Sequence, residues 1–415
     1  MPDTWYKVDN VAKVFLASAS ARDPRVFRLS CTLNEEIDPA LLNEALRQTA
    51  REFPQFQVTL HRGVFWHYLE STTEVPAAHP EDKAPCAPLY VPRRRNRLLY
   101  RVTYFGSRVN LEMFHAVTDG NGGLVYLKAI VQRYLMLRYP DRLGDLPGQD
   151  GASAADREQD SYKNFYTGGQ AKTPKPIKAY HIRVALLPYD QLQFFEAHLS
   201  AKQVLARARA LNVTLTSYLG AAMMMAIYEE MPALARKETV AISLPVNLRN
   251  YYPSATARNF FSSVYVRYTF AGDEKLSTLA PLFDAKLKDQ LRPENIRRQM
   301  DGYETLEHVP AIRPVPLPIK NWAVNLFTKL EQRQVTAVLS NLGRISLAEE
   351  LKPYVKGFAA FSSSNRLFTT AGSFGDDLVL GTASAYRSTN VLCRFYRLLT
   401  QEGLDVTLYA TEVEK

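Results

Sequence analysis

The chain has 415 residues, 46% hydrophobic and 22% charged, the proportions of a globular protein. Its length favours two domains of about 150–200 residues over one core. Lysine and arginine (51) exceed aspartate and glutamate (42), a formal charge of +9 that suits an anionic partner, yet no aromatic-interleaved basic motif accompanies it, which excludes nucleic-acid binding.

In chain order, a strand is expected at 25–33, then a helix with Asp38 as N-cap, Pro39 at its first position and Pro54 as its stop. Residues 55–60 and 64–70 read as strands around the Arg62-Gly63 turn. After a Pro-rich connection, 98–105 and 108–115 form a hairpin across Gly106-Ser107. The densest basic run, Arg93-Arg94-Arg95-Asn96-Arg97, reads as a solvated loop, with phosphate contact as the alternative. A helix follows from Leu124, with Leu127, Ile130, Val131, Tyr134 and Leu135 on one face.

Residues 146–178 are polar and lack lasting periodicity, so they read as a crossover linker between lobes at 1–145 and 179–415. The second lobe opens with a strand at 180–187, a helix from Ser200 and a helix from Thr214 or Thr216, whose Met223-Met224-Met225 run reads as core filler. Strands at 239–247 and 260–270, a charged helix from Glu274 to about Met300 and a Pro-rich return at 309–318 come next. Strands near 335–341, 357–364, 367–373 and 378–385, a helix from Thr389 and a last strand near 406–409 close the chain. Both halves mix mostly antiparallel strands with helices, an α+β pattern with a cleft between lobes as the default ligand site.

The longest apolar run, Tyr218 to Tyr228, falls short of the roughly 20 residues that span a bilayer. The start, MPDTWYKVDN, has no basic region followed by an apolar one, so no signal peptide is expected. Cys31, Cys86 and Cys393 form neither a metal spacing nor a disulfide framework. A soluble, cytoplasmic protein with reduced thiols is the expectation.

One stretch concentrates chemistry. Arg108 to Phe114 alternates as a buried strand, and Asp119-Gly120-Asn121-Gly122-Gly123 then breaks the pattern just before the helix. His115 sits between, four residues before Asp119. Two metal ligands, a structural histidine and a general base all fit that spacing. The spacing offers no third metal ligand, whereas a neutral imidazole fixed in a sharp loop suits proton removal near pH 7.

His115-Ala116-Val117-Thr118-Asp119-Gly120 resembles the HxxxDG signature of the condensation-domain and chloramphenicol-acetyltransferase-like superfamily, where it also closes a strand and opens a helix. Leu244-Pro245-Val246-Asn247-Leu248-Arg249, with Asn259 ten residues on, resembles that superfamily's second-lobe arginine and asparagine segment. Val338-Leu339-Ser340-Asn341-Leu342-Gly343 resembles the SNLG strand of the alcohol acetyltransferase branch, as do Tyr6-Lys7-Val8-Asp9 and the Phe53-Pro54 helix end.

The resemblance implies two lobes around an active-site tunnel, and an acyltransferase that moves an acyl group, acetyl in the closest-looking branch, from coenzyme A to an alcohol. It implies His115 as base, Asp119 paired bidentately with Arg249 to hold the histidine loop, and a tight backbone turn at Gly120. Ser340 and Asn341 become oxyanion candidates, with strand packing as the other reading. Asn259 is open to binding substrate or ordering the arginine loop, and Tyr251 to lining the tunnel or anchoring a loop.

No bound cofactor or metal is expected; acyl-coenzyme A is a co-substrate, and a monomer handling small molecules is the expectation. The alternatives are a carrier-protein-bound thioester and a non-catalytic binding member. Phe114 stands where peptide-synthetase condensation domains carry a first histidine, which favours stand-alone acyltransferases. No clear DFGWG-type motif is present; Gly372-Ser373-Phe374-Gly375-Asp376-Asp377 reads as a hairpin turn. His61, His67, His79, His181, His198 and His308 show no local acidic pattern and read as surface or half-buried groups.

Overall fold

The computed structural model describes the chain except residues 1–4, 91–96, 145, 149–151, 169–176, 190, 306–313 and 412–415. The basic run at 93–97 therefore lies outside the described residues apart from the exposed Arg97, and so does His308.

The first lobe begins with β1 (Trp5–Lys7) and α1 (Asn10–Ser18), then β2 (Val26–Leu33) and α2 (Pro39–Glu52). The Asp38 carboxylate accepts from the amides of Ala40 and Leu41, satisfying donors that the first turn of α2 leaves free. β3 (Val58–Arg62), β4 (His67–Ser71), β5 (Ala78–Pro80), β6 (Tyr100–Phe105) and β7 (Arg108–Phe114) follow, then the long α3 (Gly120–Arg138). β1, β4 and β3 make a small sheet; the larger one runs β2-β7-β6-β5, with α2 and α3 against it.

α4 (Pro140–Leu143) follows α3, and the described residues of the segment read as a linker hold two short helices, α5 (Ala154–Glu158) and α6 (Ser161–Phe165). It is packed, not free: Tyr162 is buried in the second core and donates to the Phe261 carbonyl at 2.5 Å.

The second lobe is β8 (Gln193–Ser200), α7 (Ala201–Ala210), α8 (Leu215–Glu229), β9 (Val240–Asn247), β10 (Phe261–Tyr268), α9 (Leu276–Gln290), α10 (Pro293–Thr305), α11 (Leu317–Gln332) and β11 (Ala337–Arg344). It closes with β12 (Val355–Ser362), β13 (Leu367–Phe374), β14 (Asp377–Ser384), α12 (Asn390–Gln401) and β15 (Thr407–Ala410). Seven of these strands pair in the order β10-β9-β11-β13-β14-β8-β15, antiparallel except where β11 runs parallel to β9 and β13. α8 is apolar all round because it is enclosed: Ser217 to Ile227 are buried, the methionine run among them.

Four sequence expectations change. β12, numbered with the second lobe, pairs with β2 and completes the first lobe's sheet as β12-β2-β7-β6-β5. The strand read at 180–187 contributes one isolated bridge, Leu186 to Tyr386; the strand lies at β8, whose partners β14 and β15 are remote in sequence. The single charged helix from Glu274 is two, broken before Pro293, which cannot continue a ladder of amide donors. α1 and α11 are helices that the sequence reading leaves out.

β12 also crosses β14 closely. A Cβ on Gly381 would meet the Ala360 carbonyl oxygen at 2.0 Å, so only glycine lets the two backbones touch. Together with the Arg108–Glu196 ion pair (2.7 Å), this contact clamps the two main sheets together. The end of β7 and the start of α3 then face the 247–260 loop and β10.

Candidate active site

His115 directly follows β7. Its amide donates to the Arg25 carbonyl (2.8 Å), extending the β2–β7 ladder by one bond. Arg25 holds that carbonyl in place with a left-handed backbone (φ +57°), a conformation costing about 1–2 kcal/mol in a non-glycine residue. The chain then turns through Ala116, Val117 and Thr118 into α3.

Asp119 is the N-cap of α3. Its Oδ1 accepts from the Gly122 amide (2.9 Å), while Oδ2 accepts from Arg249 Nη1 (2.8 Å) and from the Phe260 amide (2.8 Å). Asp119 is buried, and the Arg249 side chain is only 10% exposed. The pairing between lobes is thus observed, but through one guanidinium nitrogen. The bidentate geometry anticipated from sequence does not form, because the other donors of Arg249 bind backbone: Nε and Nη2 reach the Thr256 carbonyl, and Nη2 also the Arg258 carbonyl. Arg249 therefore ties the 247–260 loop into a knot and presents it to α3.

The glycine requirement also moves. Gly120 takes no left-handed conformation, and a Cβ there would lie 3.2 Å from Leu342 Cδ2. Gly122 is the tight position: a Cβ would meet the Ala257 carbonyl at 2.1 Å and Thr118 Oγ1 at 2.3 Å. Closeness to the second lobe, not turn geometry, selects glycine.

The imidazole lies in an aromatic enclosure. Phe15 of α1 stacks on it (centroids 4.3 Å, planes 25° apart), Phe27 of β2 meets it edge-on (4.9 Å) and Phe261 of β10 is tilted at 5.9 Å. Burial pushes its pKa below the ordinary 6.5; Asp119 pulls the other way and does not overcome it. Nδ1 is sealed from solvent with no hydrogen-bond partner, and so is Asn259 Oδ1. Nε2 has no hydrogen bond among the described residues and is not among the sealed atoms, and His115 as a whole is half-buried. One ring nitrogen is inside and the other is open.

Asn259 reaches the histidine directly: its Nδ2 donates to the His115 carbonyl (2.9 Å), and its side chain favours the protonated ring. It thereby ties the 247–260 loop to the histidine loop. Nearby, Asp9 caps α1 by accepting from the Ala12 amide (2.7 Å) and lies 3.6 Å from Arg258, which sets how α1 carries Phe15 over the ring.

The remaining candidates stand further out. Asn341 Nδ2 donates to Thr216 Oγ1 (2.8 Å), and its Oδ1 accepts from the Gly343 amide (2.8 Å). Ser340 lies beside it on β11, which runs toward Gly120 through Leu342. No hydrogen bond joins either to His115 among the described residues. Tyr251 is a loop anchor, its hydroxyl donating to the Leu291 carbonyl at 3.1 Å. His67, read as a surface or half-buried group, is buried on β4, and loss of hydration lowers its pKa to about 4.

Phe15, Arg25, Phe27 and Phe261 are site residues that the sequence reading does not single out. Only α1 carries a readable signal, an Asp9 cap followed by an apolar stripe at Val11, Ala12, Phe15 and Leu16.

No protein-family model and no curated protein matches the sequence. Solved structures do. Polyketide synthase associated protein 5 from Mycobacterium tuberculosis superposes with a TM-score of 0.63 at 13% identity, covering 96% of this chain and 98% of that one. TRI101 from F. sporotrichioides, complexed with coenzyme A and T-2, gives 0.62 at 10% identity over 97% and 99%. The starter condensation domain of rhizomide synthetase, a variant in complex with C8-CoA and Leu-SNAC, gives 0.59 at 14% over 96% and 93%. The chain has the two-lobed condensation-domain and chloramphenicol-acetyltransferase-like fold that its motifs resemble, over nearly its full length.

Proposed function

We propose that the protein is an acyltransferase in which His115 Nε2 removes the proton from an acceptor hydroxyl as that oxygen attacks a coenzyme A thioester. The observation that carries this reading is the histidine's division into one sealed and one open nitrogen. Two sealed, unpartnered atoms, Nδ1 and Asn259 Oδ1, are satisfied together when Nδ1 carries the ring proton and Asn259 accepts it. The lone pair is then on Nε2, facing the open side, and the depressed pKa keeps it free near pH 7.

The reaction balances without a covalent enzyme intermediate. The acceptor O–H proton passes to Nε2, and the oxygen bonds to the thioester carbon. The carbon–sulfur bond breaks as the tetrahedral intermediate collapses, and Nε2 returns the proton to the departing thiolate. Asp119 and Arg249 do no proton chemistry in this scheme; they fix the loop between lobes.

A coenzyme A donor and an alcohol acceptor are supported by the HxxxDG and SNLG resemblances and by the coenzyme A held in the TRI101 structure. Acetyl is the acyl group that the branch resemblance favours. The test is free-thiol release from a panel of acyl-coenzyme A thioesters, with and without pooled alcohols and amines. Release that needs both substrates and is lost in His115→Ala supports the reading. Silence across the panel, with release from carrier-bound thioesters, moves the donor to a carrier protein; silence with both leaves a binding member of the fold.

A further inference from the structure

α11 is built inside out. Its inward positions are mostly polar: Asn325 Nδ2 donates to the Ala17 carbonyl of α1 (3.2 Å), and the buried Thr328 bonds back to the Val324 carbonyl (2.8 Å). Its outward stripe, at helical spacing, is Ile319, Trp322, Leu326 and Leu330, all exposed. A surface helix of a globular protein normally carries the reverse pattern.

A second element shares this surface. The tip between β3 and β4 presents Phe65 and Trp66 to solvent, and α11 is bonded to it: the Leu317 amide donates to the Val64 carbonyl (2.9 Å) and Lys320 Nζ to the Phe65 carbonyl (3.1 Å). The chain has three tryptophans. All are exposed: Trp5 at 62%, Trp66 at 55% and Trp322 at 68%, with Trp5 and Trp66 carried by the same small sheet.

Within the α11 segment and the β3–β4 tip the charge has one sign. No aspartate or glutamate occurs between Pro314 and Leu330 or between His61 and Leu69, whereas Arg62 and Lys329 are exposed and Lys320 is half-buried. Burial, and then the nearby charge of Lys13 on α1, lowers the pKa of Lys320, so two cations crowd the seam between α11 and α1.

We propose that the surface made by α11 and the β3–β4 tip docks on anionic lipid membranes. Exposed tryptophan, leucine and isoleucine beside lysine and arginine is the composition of an interfacial helix, with the aromatics at headgroup depth and the cations on phosphate. A second copy of the chain is disfavoured by the same charges, since a symmetric contact would set basic rims against each other. The seat is functional in position: α11 packs on α1, and α1 carries the Phe15 ring that lies on His115. This goes beyond the transferase reading and does not depend on it.

The test is co-sedimentation of the whole protein with vesicles of equimolar phosphatidylcholine and phosphatidylglycerol, read in parallel by tryptophan emission, to which Trp66 and Trp322 contribute from this face. The expected result is binding with a blue shift, weaker by about tenfold or more on pure phosphatidylcholine. Leu326→Glu, at an exposed position that leaves folding intact, abolishes it; Lys329→Glu weakens binding to the anionic vesicles only. Wild-type protein that stays in the supernatant, or Leu326→Glu that still sediments, overturns the proposal. So does a solution dimer that Leu326→Glu converts to monomer without any vesicle binding, which assigns the face to a second copy.

Discussion

Two histidines of this chain sit beside carboxylates and reach opposite states. His198 on β8 is clamped at both nitrogens, Nδ1 to Asp377 (3.0 Å) and Nε2 to Glu196 (3.1 Å), and these bonds raise its pKa to about 9. Glu196 is partly buried, which opposes ionisation, but His198 and the paired Arg108 hold its pKa down to about 2. His115 has Asp119 only four residues away, yet that carboxylate is turned to Arg249 and two backbone amides. Packed among phenylalanines instead, its ring is held neutral. A histidine bonded to acids is a fixed cation that serves as a clamp. One kept from acids, with a nitrogen open, can take a proton. Sequence distance to an aspartate does not distinguish the two; the direction of the carboxylate does.

The largest effect expected from this contrast is catalytic. His115→Ala lowers the rate of thiol release by about 10²–10⁴, while His198→Gln leaves turnover at the wild-type level. Next is the lock. Asp119→Ala or Arg249→Ala leaves a buried charge unpaired and lowers stability by about 3–5 kcal/mol in urea unfolding. The double variant loses less than the sum, since the two act as one unit. Arg249→Lys also falls short, because an ammonium cannot reach Asp119 and the Thr256 and Arg258 carbonyls together.

A smaller effect gives His115 the acid it lacks. Phe15→Glu sets a carboxylate against the ring and moves the acidic limb of the pH–rate profile up by about 1–2 pH units. The smallest effect is on the clamp. The folded pKa of His198 is raised, so its stabilisation is complete below about pH 6.5 and is lost as pH rises through about 9. Wild-type melting temperature declines across that window, and His198→Gln flattens the decline.

Local pattern carries much of this. The alternation of β7 and the Asp38 cap are written in residues within a few positions of each other, and they form as read; the helix read from Leu124 begins earlier, at Gly120, with Asp119 as its cap. Arg249 is recognisable as Asp119's partner only through the resemblance, since 130 residues separate them. What is not legible is long-range. The choice of β2 by β12, the approach of Asp377 to His198 and the placing of Phe15 over His115 depend on which surfaces meet once both sheets have formed. α11 is hidden differently: its apolar stripe follows a Pro-rich segment and faces outward, so it completes no core pattern.

The most direct test of the account is the ¹⁵N resonances of the two imidazoles followed from pH 5 to pH 10, in wild type with His115→Ala and His198→Gln used for assignment. The account predicts that His115 is neutral at pH 7 with its proton on Nδ1, titrating below 6.5, while His198 remains cationic until about pH 9. A His115 that is cationic at pH 7, or neutral with its proton on Nε2, would contradict its assignment as the base.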